Sequence, residues 1–553
     1  MGIKHSFFCA PLSIFLINLP MSVSASSNDC HSCQELHVIE IGTFHSEKSI
    51  SELKLSPNGR QLGFLVRDSR ARPGLIKKDL YVTSTSGGPT QIINTDWPTG
   101  GSISSFDFSD DSLYLIFVGD KGTDYRTKER TYWVSYNGSE FTEPRVNKSL
   151  DGSVSIIPFT NIDRQILYKS RLGLFTLDLN AKKEPSPKQL APKGLSSIVL
   201  GADASRVHYL RDEREQGDLL GPKNLYETMI LDGSTKMLNQ PLLPSVWSSV
   251  KNFQLSKNQH YVAYIANLEE DDRYDLYAKN LIDGKDFRLN EKPAHTNGDV
   301  YELEISHNSK HVVYLADSNL NNVHELFSVP FASPETSVRL SPDWITSLAE
   351  NQNALNTFNA IDVYNFKLSL DSDYVAFRTP KGIYASDLQG RNLTLLSSSE
   401  RKIQSYRFVG PSIVITYADS NPDIEVFSAA TGERIYHFNN TEPWSLWLQS
   451  LSIEDGEHLY YRNKNGNQDD LVSVNLKTLD TPRIVAKIPK SQTGPVTWNI
   501  LANGQIDLFY STAKKQSKEI IPFLSSLPIL ANLNFLSTET KRITLWKQRL
   551  DLQ

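Results

Sequence analysis

The densest group of acid–base side chains in the chain is the run Glu269-Glu270-Asp271-Asp272. Paired carboxylates are what glycoside hydrolysis requires, so the run could serve a propeller glycosidase. Four adjacent like charges also make a solvated loop, which is the expectation adopted here. Asp110-Asp111 reads as turn chemistry after a short strand. His208, His311 and His458 lie in or beside apolar strands and are expected to be packed or surface residues, not ligands. There is no His-Glu-x-x-His zinc helix, no glycine-rich phosphate loop and no calcium loop. No catalytic residue, metal ligand or cofactor is assigned.

Cysteine supplies the other reactive pair. Cys9 lies in an apolar N-terminal run, and only Cys30 and Cys33 follow it. A local disulfide is expected for Cys30 and Cys33 in an oxidising compartment, with a free thiol pair as the alternative. A thioredoxin-like pair would sit in a βαβ pattern, which is absent. Haem attachment needs histidine after the second cysteine, where Gln34 stands.

The N-terminus explains why oxidation is expected. Lys4 and His5 precede the apolar stretch Phe7 to Leu19, and Val23-Ser24-Ala25 offers small residues for cleavage. Residues 1–25 read as an export signal, and a buried helix or uncleaved anchor is the alternative. A periplasmic or secreted location follows, with no transmembrane segment after cleavage. The expected divisions are signal 1–25, a Cys-containing leader 26–49, repeats over 50–547 and a tail 548–553. With 39% hydrophobic residues the chain has the means to bury a large core. Its net charge of −6, with acids and bases interspersed, argues against a nucleic-acid partner.

The elements that would position any site are repeated. Leu53-Lys54-Leu55-Ser56-Pro57-Asn58-Gly59-Arg60, Gln61 to Val66, Asp79-Leu80-Tyr81-Val82 and Gln91-Ile92-Ile93 form four short strands separated by turn signals. The same grammar returns from Phe106, Phe253, Leu303 and Phe366, and more weakly around Gln165, Val207, Ser412, Leu451 and Trp498. About ten copies at a spacing of roughly 40 to 60 residues fit the blades of an all-β propeller of eight to ten four-stranded blades. Apolar residues at consecutive as well as alternate positions suit sheets covered on both faces. A single large ring is favoured. The helical-looking stretch from Asp343 to Asn359 is where two rings would divide, near 343–362, or else it is one long connection.

The Leu55-Ser-Pro-Asn-Gly-Arg turn, the apolar second strand and the later Asp-Leu-Tyr resemble the TolB-type repeat. That repeat also builds the N-terminal propellers of prolyl oligopeptidase and dipeptidyl peptidase proteins. The Cys-containing leader running into Val38-Ile39-Glu40-Ile41-Gly42 is similar to the start of the lasso-peptide isopeptidases, a branch of the same peptidase family. The resemblance implies an α/β-hydrolase domain with a Gly-x-Ser-x-Gly elbow. The chain has no such pentapeptide. The residues after Leu545 are also too few for that domain, so no serine mechanism is carried over. The expected alternatives are therefore a non-catalytic propeller that binds protein or peptide and the propeller part of a degenerate or split serine peptidase.

Antiparallel four-stranded blades place the connections between second and third strands, and those between blades, on one face. The segments 68–78, 119–131, 211–223, 267–274 and 317–323 are the long ones and should crowd that face. Trp97, Trp247, Trp344, Trp444 and Trp447 lie in or near the connections between blades. Together they mark the expected binding face, each tryptophan being either a recognition group or a wedge between blades.

Overall fold

The computed structural model describes residues 36–550 apart from 46–47, 69–76, 87–88, 96, 99–100, 122–129, 136–144, 147–154, 157–164, 179–186, 214–220, 245–247, 296, 346, 348–361, 419–423, 439–440, 443–457, 466–467, 479–480, 482, 490–496, 501–505 and 520–536. Along several strands, including those of the last blade, it describes the backbone alone. The proposed signal, Cys30 and Cys33 lie outside these residues, as do Trp247, Trp444 and Trp447.

Among the described residues the chain forms ten antiparallel four-stranded sheets, and nine of them take their strands in sequence order. Blades 1 to 9 span 48–92, 102–146, 155–192, 195–237, 250–288, 300–339, 365–398, 403–438 and 441–489. The tenth combines Thr497–Ile500, Ile506–Glu519 and Ser537–Leu550 with the N-terminal strand Leu36–His45, in register from Leu36 opposite Gln548 to His45 opposite Thr540. The segment set apart as a leader is therefore partly the fourth strand of the last blade. Strand pairing also continues to Leu550, into the expected tail. A sheet that pairs residues 36–45 with residues 540–548 closes a ring through backbone hydrogen bonds.

Apolar packing carries the ring from blade to blade. Leu65, Leu80 and Val82 of blade 1 pack with Ile103, Phe106 and Phe117 of blade 2. Equivalent clusters join the blades that follow, as far as Val426 of blade 8 with Val472 of blade 9. The joint where the alternative of two rings would divide is one of these. Val313, Leu315 and Leu326 of blade 6 pack with Phe366, Val375 and Phe377 of blade 7. One continuous ring replaces the two-ring alternative, and the stretch after Asp343 is an inter-blade connection. Its described part is a short helical turn at Asp343, Trp344 and Ile345.

First strands face the axis. Those of blades 5 and 6, of blades 7 and 8, and of blades 1 and 10 approach one another. Side chains tie them: Gln254 accepts from Ile305 N at 2.6 Å, and Tyr406 donates to Asn365. Second strands are covered on both sides, which is why Leu62, Phe64, Leu65 and Val66 are all buried.

The repeat motifs have separate structural roles. In the Ser-Pro-Asn-Gly turn, Ser56 Oγ donates to Asn58 Oδ1 and accepts from Gln61 N. Gly59 adopts φ 67°, which glycine tolerates without strain. At the equivalent left-handed position later blades place Ser112, Ser309 and Ser372. Each of these hydroxyls accepts a backbone N–H from the preceding blade's turn, from Asn58 (3.1 Å), Asn258 (3.1 Å) and Asn308 (2.8 Å). The serine thus exchanges local strain for an inter-blade hydrogen bond. In Asp-Leu-Tyr, Leu80 N donates to Asn94 Oδ1, while Asn94 Nδ2 donates to Asp79. The set Asp275, Leu276 and Asn290 repeats this arrangement. The tyrosine stacks on the second strand, as in Tyr81 on Phe64 at 5.4 Å and Tyr277 on Tyr264 at 5.8 Å.

Candidate functional site

The first strand of a blade begins on the face that carries the long connections, and a bulge recurs there. One extra residue follows a buried Ile or Val, so pairing shifts between Ile50 and Glu52, Ile103 and Ser105, Val250 and Asn252, and Val300 and Glu302. A bulge re-aims the extra side chain away from the ladder. In blades 1 and 2 that residue is serine, and its hydroxyl turns back onto the second strand: Ser51 Oγ to Leu65 O at 3.5 Å, Ser104 Oγ to Val118 O at 3.0 Å. In blades 5 and 6 it is Lys251 and Tyr301, and Tyr364 holds the equivalent place in blade 7.

These larger residues form a row. The Lys251 ammonium lies 5.0 Å from the Tyr274 ring centre and 5.5 Å from that of Tyr301. Tyr301 and His324 have ring centres 4.3 Å apart. Lys251 is exposed, Tyr274, Tyr301 and His324 are half-buried, and Tyr364 is 43% exposed. The row spans neighbouring blades at the starts of their first strands.

Three carboxylates anchor it from beneath. Asp299 accepts from Tyr274 N at 2.7 Å, and Asp362 accepts from His324 N at 3.1 Å, each tying a third strand to the start of the next blade. Asp317 is fully buried and accepts from Asp299 N, Asn322 N and the Tyr301 hydroxyl. Burial raises the carboxyl pKa of Asp299 despite its hydrogen bond, and the Asp317 charge adds to the rise. Burial raises that of Asp362 as well. Burial and the neighbouring Asp317 and Asp299 raise the Tyr301 phenol, so it keeps its proton and donates to Asp317. With their oxygens engaged by backbone donors, the aspartates act as fixed supports.

The expected site residues divide. Of the two expected roles Trp97 takes the wedge: it is only 8% exposed and packs on Phe117 between blades 1 and 2, with ring centres 6.2 Å apart. A Cβ on Gly119 would come within 2.6 Å of its ring, so the absence of side chains at Gly119 and Gly101 makes its slot. Trp344 is half-buried on the joint between blades 6 and 7. Its indole N–H donates to Tyr384 Oη at 3.2 Å and Lys381 lies 4.0 Å over its ring.

Other sequence candidates also find their places. Glu269 and Glu270 are not a free loop: they bind Arg273, which is almost fully buried against Asp275 at 3.0 Å, and Glu269 reaches Arg288 at 3.1 Å. These carboxylates are held by guanidinium groups, an arrangement unlike a hydrolytic pair. Asp111 accepts from Ser109 Oγ and Leu113 N within its turn. His208 is buried against Glu227 at 3.0 Å. His311 is half-buried, and burial lowers its imidazole pKa. The side chain of His458 lies outside the description. Among the described residues no group of three or more His, Cys, Asp or Glu is placed to hold a metal ion. No described helix is long and apolar enough to cross a membrane. A cleft of about 560 Å³ opens on the opposite face, lined by Lys310, His311, Asp373, Asp387 and Arg391 among others. Arg391 pairs there with Asp387 at 3.2 Å, leaving a polar seam between turns.

The row on blades 5 to 7 escaped sequence reasoning. Its only signal was a substitution at one repeat position, Lys251, Tyr301 and Tyr364 where earlier copies have Ser51 and Ser104, each after a β-branched residue.

No family model and no curated protein matches the chain. Solved structures similar to it include one from an analysis of two prolyl endopeptidases, at 10% identity and TM-score 0.35, over 85% of this chain and 55% of that one. Another is Porphyromonas gingivalis dipeptidyl peptidase 4, at 13% identity and TM-score 0.41, over 77% of this chain and 65% of that one. A third, described as the eukaryotic initiation factor, has 12% identity and TM-score 0.43, over 71% of this chain and 89% of that one. The chain thus spans about half the length of the prolyl endopeptidase structure. The propeller itself follows from sheet order, ring closure and inter-blade packing.

Proposed function

We propose that the protein is an exported, non-catalytic propeller that binds protein or peptide at the long-connection face, over the first strands of blades 5 to 7. The observation that carries this reading is the row Tyr274, Lys251, Tyr301 and His324. Half-exposed aromatic rings on a rigid scaffold give large contact area at low entropic cost, the property of residues that dominate protein recognition. Their buried aspartate supports hold the surface in one geometry before a ligand arrives, which favours binding. Export rests on residues 1–25, and mature protein beginning after Ala25 is the expected result of N-terminal mass spectrometry; an intact Met1 would oppose it.

The binding reading is tested by selecting a peptide from a displayed random library on the full chain. The wild type is then compared with Tyr301→Ser and Tyr364→Ser. Each variant gives its blade the small residue that blades 1 and 2 already carry, so folding should persist. Capture should fall about tenfold or more. Undiminished capture by both variants would remove the row from the binding site.

A further inference from the structure

On the face of the short turns, two neighbouring joints are filled differently. The residue that opens the second strand is tyrosine in blades 2, 5 and 7, at Tyr114, Tyr261 and Tyr374, and histidine in blade 6, at His311. Between blades 5 and 6, Tyr261 stacks on Phe331, the residue after the third strand of blade 6, with ring centres 4.3 Å apart. Between blades 6 and 7 both members of that pair are exchanged. His311 stands for the tyrosine, and Leu388, in the place of Phe331, is buried in the core between the blades. Among the described residues no ring stacks on His311, and the joint opens as the cleft of about 560 Å³. That volume is of the size of small-molecule sites.

The hydrogen bonds of the cleft wall decide what it offers. Asp387 is occupied by Gln389 N, Arg391 N and Arg391 Nε, and Gln389 Oε1 accepts from Arg391 Nη2 at 3.1 Å. Asn308 Oδ1 accepts from Ser306 Oγ and Lys310 N. The protein thus uses these acceptors itself and leaves donors over. The side-chain amide N–H groups of Asn308 and Gln389, Arg391 Nη1 and the Lys310 ammonium have no partner among the described residues. His311 adds Nε2, since its Nδ1 is buried without a partner. Burial and the Lys310 charge lower its imidazole pKa, so the ring meets a ligand uncharged at neutral pH. Asp373 is exposed and unpaired among the described residues, and it is the carboxylate of the cleft left to accept.

Donors drawn from three turns of two blades suit an oxyanion whose lone pairs point in several directions, as those of a tetrahedral phosphate do, better than a planar carboxylate. We infer that the cleft between blades 6 and 7 binds a small phosphate ester carrying hydroxyl groups, the chemistry of a sugar phosphate. Lys310, Arg391, Asn308 and Gln389 would hold the phosphate, and Asp373 would accept from a hydroxyl of the same ligand. The cleft lies on the face opposite the row on blades 5 to 7, and either site can fail without the other.

The test is calorimetric titration of the full chain, at fixed ionic strength, with glucose 6-phosphate, inorganic phosphate, glucose and glucuronate. The first variant, His311→Tyr, gives blade 6 the residue that blades 2, 5 and 7 carry and closes the joint. The second, Lys310→Gln, removes an exposed charge and keeps the backbone N–H that Asn308 holds, so one variant stays informative if the other misfolds. The expected result is that glucose 6-phosphate binds most tightly, the other three about tenfold or more weaker, and that each folded variant weakens it about tenfold. No binding of glucose 6-phosphate, or binding undiminished in either folded variant, would overturn the inference. Glucuronate or inorganic phosphate binding as tightly would also overturn it and mark a general anion site instead.

Discussion

Blades 1 and 2 and blades 5 to 7 share a backbone plan and differ in what they put on it. Both regions have a buried Ile or Val at the start of the first strand and a residue re-aimed by a bulge or its equivalent, and an aromatic pair crosses the second and third strands of blades 1, 5, 6 and 7. In blades 1 and 2 the re-aimed residue is a serine bonded to its own sheet, and the connection between them contributes Trp97 to the core. In blades 5 to 7 it is Lys251, Tyr301 or Tyr364, and the connections contribute Asp299 and Asp362 as supports. The difference shows that, in a repeat fold, one recurrent position can be exchanged while the ladder around it stays fixed.

The strongest way to break this comparison is to truncate a tryptophan in each region. Trp97→Ala should cost about 3 to 5 kcal/mol, because Gly101, Gly119 and Phe117 leave a preformed slot that cannot collapse easily. Trp344→Ala, on a half-buried ring, should cost less than half as much in denaturant unfolding. Equal losses would mean that the two joints are packed alike.

Acid should separate a structural carboxylate from the site carboxylates. Burial opposes ionisation of Glu227, but hydrogen bonds from His208 and Lys236 outweigh it and bring its carboxyl down to about 2. Its stabilising contribution is therefore complete above about 4.5, the ordinary value, and is lost as pH falls towards about 2. Asp299 has the opposite sign. Its carboxyl is raised from 3.8, so its contribution is present below that value and is lost as pH rises through the folded one. Unfolding of Glu227→Gln should show a flatter acid limb than wild type. Asp299→Asn, which still accepts from Tyr274 N, should gain on the wild type as pH rises. A common pH slope for both variants would refute the distinction.

The inter-blade serines should show the smallest effects. Ser309→Ala or Ser372→Ala removes a hydrogen bond while keeping a left-handed residue, at a cost of about 1 kcal/mol. Ser309→Gly should cost less, because glycine relieves the positive φ. A glycine variant less stable than the alanine one would contradict this account of the turn.

Much of the ring was legible in the sequence, because Ser-Pro-Asn-Gly and Asp-Leu-Tyr each satisfy a local hydrogen-bond requirement and must recur with the strands. The weak copy near Gln165 is marked by apolar spacing alone, and the expected start near Leu451 lies outside the described residues, where the blade's first described strand is Thr441–Glu442. Ring closure by Leu36–His45 was not legible, since its partner lies some five hundred residues away and pairing across that distance leaves no local pattern. Trp97 was ambiguous for a different reason: the glycines that receive it, Gly101 and Gly119, look like loop glycines until their neighbours are placed. The Ser112, Ser309 and Ser372 ties were hidden because serine in a turn already has a sufficient local explanation.

The central claim is that the long-connection face binds through blades 5 to 7 and not through the equivalent places in blades 1 and 2. Amide hydrogen exchange on the full chain, with and without the library-selected peptide at saturation, tests it directly. The account predicts slower exchange at 249–252, 299–303 and 362–366, with 49–52 and 102–106 unchanged. Protection at Ser51 and Ser104 with none around Lys251, Tyr301 and Tyr364 would contradict it.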